Sequence, residues 1–496
     1  MTDFLLFLLL VEVALLIIWG FRRPSRVYQF PFLAGCVFGL WAWPQFYGLQ
    51  CSGTVPDEML DKALLMSILC GGMCFAGYRV GHRPIRGLNW TLDRRRLCYA
   101  ATVLTLIGVF FQYKLSRIPD KGSQWSGLPV IYAFFAKLLS YGFGMGILLV
   151  LRRLTFSALL PVAIGGLGYF DWIVFAGRRV AIIQFVLIIG MLMWFIRKKV
   201  PPRLVVACVI LAGAILSYNI GIYRSAMSHV SLFNNARAID ISGLNQMSVT
   251  DPLKRVTSEG GSEMRNSAYY IAATEKLGAY DFGLYQWSVL VWEYFPAQIF
   301  GSAAKQNFMS FGGLLEIGRN AERAYGYQSG TGTTTGGMTD AFASFWYFGC
   351  LEFFAIAYLM RRLYEAAIRG SPVWQLACAL LTVYALHAIT HSTAWFVSPW
   401  VSLVIFVVPT LVYARARPGD GKREVIGAMQ VATEIRSRAN SKLATWCDKE
   451  SYRGKLKFAV RLPQPGTKYG NFVSRFGAKQ FGRPRLMARR TRNIVP

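Results

Sequence analysis

Apolar runs of membrane length recur along the chain near residues 3–20, 29–47, 60–80, 97–114, 127–150, 155–176, 180–196, 204–222, 339–360, 373–392 and 395–414. A helix crosses a bilayer with about 20 mostly apolar residues, so the pattern predicts an all-α polytopic membrane protein with about eleven transmembrane helices. The first run lacks a basic leading segment and a small-residue cleavage site, and Arg22 and Arg23 follow it, so it reads as a retained helix rather than a signal peptide.

Between 223 and 338 the pattern changes. Asn266–Leu277 has helical character. Trp287–Gly301 is apolar and aromatic, is interrupted by Pro296 and is short for a full crossing, which fits an interfacial or re-entrant helix. Ser329–Gly337 (SGTGTTTGG) has the composition of a loop that wraps backbone N–H groups around an anion or closes as a lid. The chain therefore divides into a transmembrane block of about eight helices at 1–222, a large, partly helical loop region at 223–338, a closing block of about three helices at 339–414 and a basic tail at 415–496.

Charge sets the predicted topology. Basic residues fill every second connection: Arg22, Arg23 and Arg26; Arg79 to Arg96; Arg152 and Arg153; Arg197 to Arg203; Arg361 to Arg369. The intervening connections Gln50–Glu58 and His391–Pro399 carry no Lys or Arg. By the positive-inside rule the N-terminus and the 223–338 loop lie outside and the C-terminus lies in the cytoplasm. The net charge is +29, and the tail carries about half of it. Anionic lipid on the inner leaflet attracts such tails at about 1 kcal/mol per basic residue, which explains the charge without nucleic acid. The nine cysteines suggest no structural disulfide.

Two basic spots fall on the side otherwise poor in Lys and Arg. Arg178 and Arg179 sit in the short turn between two runs, and Arg224, Arg319 and Arg323 belong to the loop region. An interfacial snorkelling pair is the ordinary explanation for the first spot, and a solvated loop surface for the second. The alternative is anion binding, since a guanidinium fork matches phosphate oxygens. Asp171, seven residues before Arg178, would share its face if the helix continued. Glu293 lies in an apolar segment, where an unpaired carboxylate is costly; it is expected either to pair with an Arg or to act as a general base. Asp340 starts a span, where it either caps the helix or takes part in catalysis. His229 is a second candidate base. His387 and His391 are spaced i,i+4, but no further ligand completes a metal site, so neither a metal nor any other cofactor is expected. Lys137, Glu12 and Glu352 fall within spans as candidates for buried ion pairs. No nucleotide-binding motif is present, so substrates are expected from the membrane or the outer compartment.

Two segments resemble the bacterial O-antigen polymerase family, the Wzy-type oligosaccharide repeat-unit polymerases. Phe175–Ile183 (FAGRRVAII) is similar to the family's S-G-x-R turn leading into a helix. Gly336–Glu352 (GGMTDAFASFWYFGCLE) resembles its small-residue loop, acidic residue and fG-x-x-G helix, with Cys350-Leu351-Glu352 standing where the second Gly is expected. Arg319 to Gly330 has the R-x10-G spacing of some members. The resemblance implies a GT-C-like glycosyltransferase of the bacterial inner membrane, acting on the periplasmic face. It would polymerise undecaprenyl-pyrophosphate-linked oligosaccharides for surface polysaccharide or exopolysaccharide, with a chain-length regulator and a flippase as candidate partners. Arg178, Arg179, Arg224, Arg319 and Arg323 would then hold pyrophosphate, and Glu293, Asp340 or His229 would take the acceptor proton. Two other readings compete: an O-antigen ligase-type transferase using His229 beside Arg224, and a transporter or flippase of lipid-linked oligosaccharide. The lack of an internal repeat counts against the last.

Overall fold

Apolar side chains must leave water, and in so apolar a chain helices satisfy the backbone without outside partners. The computed structural model, which describes residues 1–85, 87–118, 128–227, 251–309, 314–330, 333–416 and 425–426, is accordingly almost all helix. The described residues belong to one compact unit, Met1–Val431. Most of the basic tail, including the amphipathic helix expected near Arg423–Trp446, lies outside the described residues.

The first block comprises α1 (Thr2–Phe21), α2 (Phe30–Val37), α3 (Trp43–Ser52), α4 (Asp57–Val80), α5 (Arg94–Ser116), α6 (Leu128–Ala136), α7 (Leu138–Arg152), α8 (Phe156–Phe170), α9 (Arg179–Arg197) and α10 (Arg203–Met227). The loop region holds α11 (Asp251–Glu259), α12 (Ser262–Leu277), α13 (Leu284–Tyr294), α14 (Ala297–Phe300), α15 (Ser302–Phe308) and α16 (Leu314–Tyr325). The closing block is α17 (Gly337–Phe345), α18 (Cys350–Ile368), α19 (Pro372–Thr390), α20 (Ala394–Ser402) and α21 (Val408–Tyr413).

Nine helical stretches among the described residues are long and apolar enough to cross a membrane: Thr2–Phe21, Asp57–Val80, Arg94–Ser116, Leu128–Arg152, Phe156–Phe175, Arg179–Arg197, Gly337–Ile368, Pro372–Thr390 and Ala394–Tyr413. The protein is thus a polytopic all-α membrane protein. The count is nine where the hydrophobic pattern predicts eleven. The expected span at 29–47 is divided by a π-helical turn, Phe38–Ala42, between α2 and α3. The expected span at 204–222 lies within the 25-residue helix α10, Arg203–Met227, whose side chains are described as an apolar helix over Arg203–Gly213.

Close helix contacts hold the bundle. A Cβ on Gly77 would lie 2.2 Å from the Phe354 carbonyl oxygen, so α4 and α18 touch backbone to backbone. α19 is the most enclosed span, 78% buried, and packs on α9, α18 and α20. The basic connections collect at one end of the bundle and donate to backbone there. Arg94 Nη2 donates to the Arg153 carbonyl (2.6 Å), Arg362 Nε to that of Arg83 (3.2 Å) and Arg203 Nη2 to that of Arg22 (3.5 Å). The loop-region helices cover the other end. Met264 N donates to Gln45 Oε1 (3.3 Å), and Lys62 bridges α4 to Glu275 of α12 (2.6 Å).

One loop segment goes inward. α13 begins beside Thr393, and its last residue, Tyr294, donates through its hydroxyl to the Ser398 carbonyl at 2.5 Å and lies 2.6 Å from Ser402 Oγ. α15 returns antiparallel to it: Lys305 Nζ donates to the Trp292 carbonyl (2.6 Å) and Trp287 Nε1 to that of Phe308 (2.9 Å). The stretch 284–308 is therefore a helical hairpin that enters the bundle alongside α20 for about two turns, or about 12 Å, and turns back near Pro296.

Candidate functional site

The Arg178–Arg179 turn has a local cause. α8 runs on into a π-helical turn, Asp171–Phe175, which ends the 3.6-residue register that would have set Asp171 and Arg178 on one face. Gly177 then takes φ +53°, and α9 starts at Arg179. Asp171 is buried and its Oδ2 accepts from Gln112 Nε2 (3.0 Å). Arg178 is half-buried, with its guanidinium 5.9 Å from the centre of the Trp172 ring. Arg179 is also half-buried; burial, and then the charge of Arg179, push the His391 imidazole down to about 4. Near neutral pH His391 is an uncharged imidazole beside a fixed cation.

His391 closes α19 and leads a polar run, His391-Ser392-Thr393, between two apolar helices. Its Nδ1 is 2.8 Å from Thr390 Oγ1, and its ring lies 4.5 Å from that of His387, whose two nitrogens have no hydrogen-bond partner among the described residues. Among the described residues no group of three or more His, Cys, Asp or Glu side chains could hold a metal.

Asp340 belongs to this polar run, not to the end of its own helix. Its Oδ2 accepts from Ser392 Oγ (2.9 Å), Thr393 N (3.0 Å) and Thr393 Oγ1 (2.8 Å). The capping role expected of it is therefore replaced by a bridge from α17 to the α19–α20 junction, and α17 has no side-chain cap. The bridge is tight because a Cβ on Gly337 would lie 1.8 Å from the Ala388 carbonyl oxygen. Asp340 is fully buried.

The Gly/Thr stretch is pinned along its described part rather than free to close as a lid. Asn266 Nδ2 donates to Thr333 Oγ1 (2.8 Å) and to the Thr334 carbonyl (3.2 Å), and Thr334 Oγ1 donates to the Thr390 carbonyl (3.1 Å). It lies beside the end of α19, next to His391.

The other expected site residues separate from this centre. Glu293 pairs with Lys137, not with an arginine, and also accepts from Ser398 Oγ, so it locks the hairpin to α6–α7 and α20 instead of standing as a free base. Arg319 and Arg323 project from the exposed face of α16, whose other face buries Ile317, Asn320 and Ala321. A guanidinium in water gains little from holding phosphate. Arg224 lies on α10 with its side chain outside the described atoms, and His229 lies outside the described residues.

A cleft adjoins the polar run. It has a volume of about 620 Å³ and is walled by α13, α18 and α20. Gly283, Gln286, Glu352 and Thr393 form its head, and Phe345, Ile356, Leu359, Phe396 and Trp400 line most of its length. Gln286 Nε2 reaches Ser344 Oγ (3.1 Å), Thr393 Oγ1 (3.3 Å) and both oxygens of Glu352 (3.4 Å). Asp281 stands at the approach, where its Oδ1 accepts from Gly283 N (2.9 Å) and burial raises its carboxyl above the ordinary carboxylate range. A series of polar groups thus runs from His391 and Ser392 through Asp340, Thr393 and Gln286 to Glu352, ending in an apolar cleft. Sequence reasoning singled out Arg179 and Asp340 and missed His391, Thr393, Gln286 and Glu352 as their neighbours. The one signal for them was the three-residue polar run between apolar spans.

Comparison of the chain with family models, curated proteins and solved structures finds no match.

Proposed function

We propose that the protein is a membrane glycosyltransferase that extends a glycan carried on a lipid pyrophosphate, with the loop region on the outer face of the bacterial inner membrane and the basic end of the bundle in the cytoplasm. The observation that carries this reading is the Arg179–His391 pair, joined through Ser392, Asp340 and Thr393 to an apolar cleft. A lipid-linked pyrophosphate needs a cation at the end of a span and apolar surface beside it. In the transfer, an acceptor hydroxyl oxygen bonds to the donor's anomeric carbon while the bond from that carbon to the pyrophosphate oxygen breaks. The electron pair leaves on the lipid pyrophosphate, whose growing charge Arg178 and Arg179 stabilise. The hydroxyl proton leaves to water at the outer face, since burial and the charge of Arg179 oppose its transfer to His391. Asp340 fixes Ser392 and Thr393, and through them the position of His391. The resemblance of FAGRRVAII and of the 336–352 segment to Wzy-type polymerases points the same way.

The test is reconstitution of the purified protein in nanodiscs with undecaprenyl-pyrophosphate-linked oligosaccharide and no ion gradient. The expected products are a ladder of longer glycans and free undecaprenyl pyrophosphate, both lost in Arg179→Ala. Wild-type protein that yields no elongation, or an Arg179→Ala variant that yields a normal ladder, overturns the reading.

A further inference from the structure

Glu12 stands midway along α1, about 15 Å of helix from either end, at the centre of a hydrocarbon core about 30 Å thick. Both of its carboxyl oxygens are enclosed, and neither has a hydrogen-bond partner among the described residues. No Lys, Arg or His pairs with it there, so the ion pair that its place in a span suggests is not formed. On the facing helix α4 the titratable groups that sense it are two buried thiols, Cys70 and Cys74. The segments Phe30–Val37 and Trp43–Ser52, which also pack on α1, contain no charged residue. Arg26, in the turn after α1, donates to the Trp19 carbonyl (3.2 Å), about 10 Å further along the helix. No cluster that could hold a metal is present among the described residues.

The sequence opposite makes room for this carboxyl. A Cβ on Gly71 would lie 2.7 Å from Glu12 Oε1, so the carboxyl fills the place of a missing side chain on α4. A Cβ on Gly72 would lie 3.5 Å from the same oxygen, an ordinary contact, and Gly72 is exposed on the outside of the bundle. Leu8 and Leu15, four residues before Glu12 and three after it on the same face of α1, are exposed as well. The carboxyl therefore lies just beneath the lipid-facing surface, beside a residue that has no side chain to shield it. A carboxylate at that depth, out of water and unpaired, is costly. A proton removes the charge and supplies the hydrogen that no neighbour provides.

We infer that Glu12 is a proton-binding site in the membrane interior, a neutral carboxylic acid that a hydrophobic carbodiimide dissolved in the lipid reaches past Gly72. In that reaction the carboxyl proton moves to a carbodiimide nitrogen and the carboxyl oxygen bonds to the central carbon. Migration of the acyl group from oxygen to nitrogen then gives a stable N-acylurea, and no atom leaves. The inference goes beyond the transferase reading, and it is tested without turnover, so either can fail alone.

The experiment uses the full chain in nanodiscs at neutral pH. Infrared difference spectra compare the wild type with Glu12→Gln, and dicyclohexylcarbodiimide adducts are mapped by mass spectrometry. The C=O band of a protonated carboxyl is expected in the wild type and is lost in Glu12→Gln; Glu12→Leu replaces that variant if it does not insert. Dicyclohexylcarbodiimide should leave an N-acylurea on Glu12, and a water-soluble carbodiimide should leave none. Gly72→Leu, which covers the approach, should keep the band and lose the adduct. Carboxylate bands, rather than the protonated band, disappearing with Glu12 overturn the inference. So does a wild type without the adduct, or an adduct that persists in folded Gly72→Leu.

Discussion

The Lys137–Glu293 pair is the perturbation with the most direct consequence, because it joins the hairpin 284–308 to the transmembrane bundle. The Glu293 side chain is 9% exposed and that of Lys137 is 25% exposed. Lys137→Met removes the cation and leaves the carboxylate enclosed, with Ser398 Oγ and the surrounding apolar wall. Removing one partner of a buried pair costs about 3–5 kcal/mol. Ser398 still serves one carboxylate oxygen and Lys137 is partly exposed, so the low end applies, about 3 kcal/mol or about a hundredfold in the hairpin's opening equilibrium. Hydrogen exchange of 284–308 in nanodiscs reads that equilibrium directly. The double variant Lys137→Met/Glu293→Gln removes the unpaired charge and should recover most of the protection, giving a large coupling term in the double-mutant cycle. Unchanged exchange in Lys137→Met, or strictly additive effects in the double variant, would refute the view that this pair pins the hairpin.

Three further outcomes follow from the geometry. Arg179→Ala is expected to lower glycan extension by about 10²–10³-fold, as loss of one oxyanion donor does, while Arg319→Ala and Arg323→Ala retain extension; product ladders from equal amounts of inserted protein decide this. His391 is held at about 4 against an ordinary 6.5, so the native state disfavours its protonation. Its burden on stability is absent above about pH 6.5, grows as pH falls, and reaches about 3 kcal/mol near pH 4, so His391→Gln should flatten the acid side of a melting-temperature profile. Gly337→Ala would drive a methyl group into the Ala388 carbonyl and should destabilise the α17–α19 contact by about 1–3 kcal/mol, measured as a lower melting temperature in detergent.

The candidate site was legible where chemistry is written in adjacent residues. Arg178 and Arg179 stand together in a turn too short to be an ordinary solvated loop, and that turn is where the structure sets a cation against an imidazole. Arg319 and Arg323 share i,i+4 spacing, but spacing states only that two residues share a face. That face of α16 looks outward, because Ile317 and Ala321 take the inward one. Glu293 was recognised as needing a partner. The partner's identity depended on the hairpin's entry beside Lys137, 156 residues away. Asp340 looked like a cap because local rules see only the helix it begins, and its actual partners lie more than 50 residues onward.

The sequence by itself determined that this is a helical membrane protein and where most of its spans lie. It also separated the basic connections from the rest. Transfer of apolar residues out of water and the hydrogen-bonding needs of the backbone act on each segment independently, so a linear pattern suffices. Only the tertiary structure decided that α13 turns into the bundle, that Asp340 ties α17 to the polar run after α19, and that Glu352 heads an apolar cleft. Each depends on which helices touch and at what height, a matter of side-chain fit between distant segments that periodicity does not encode.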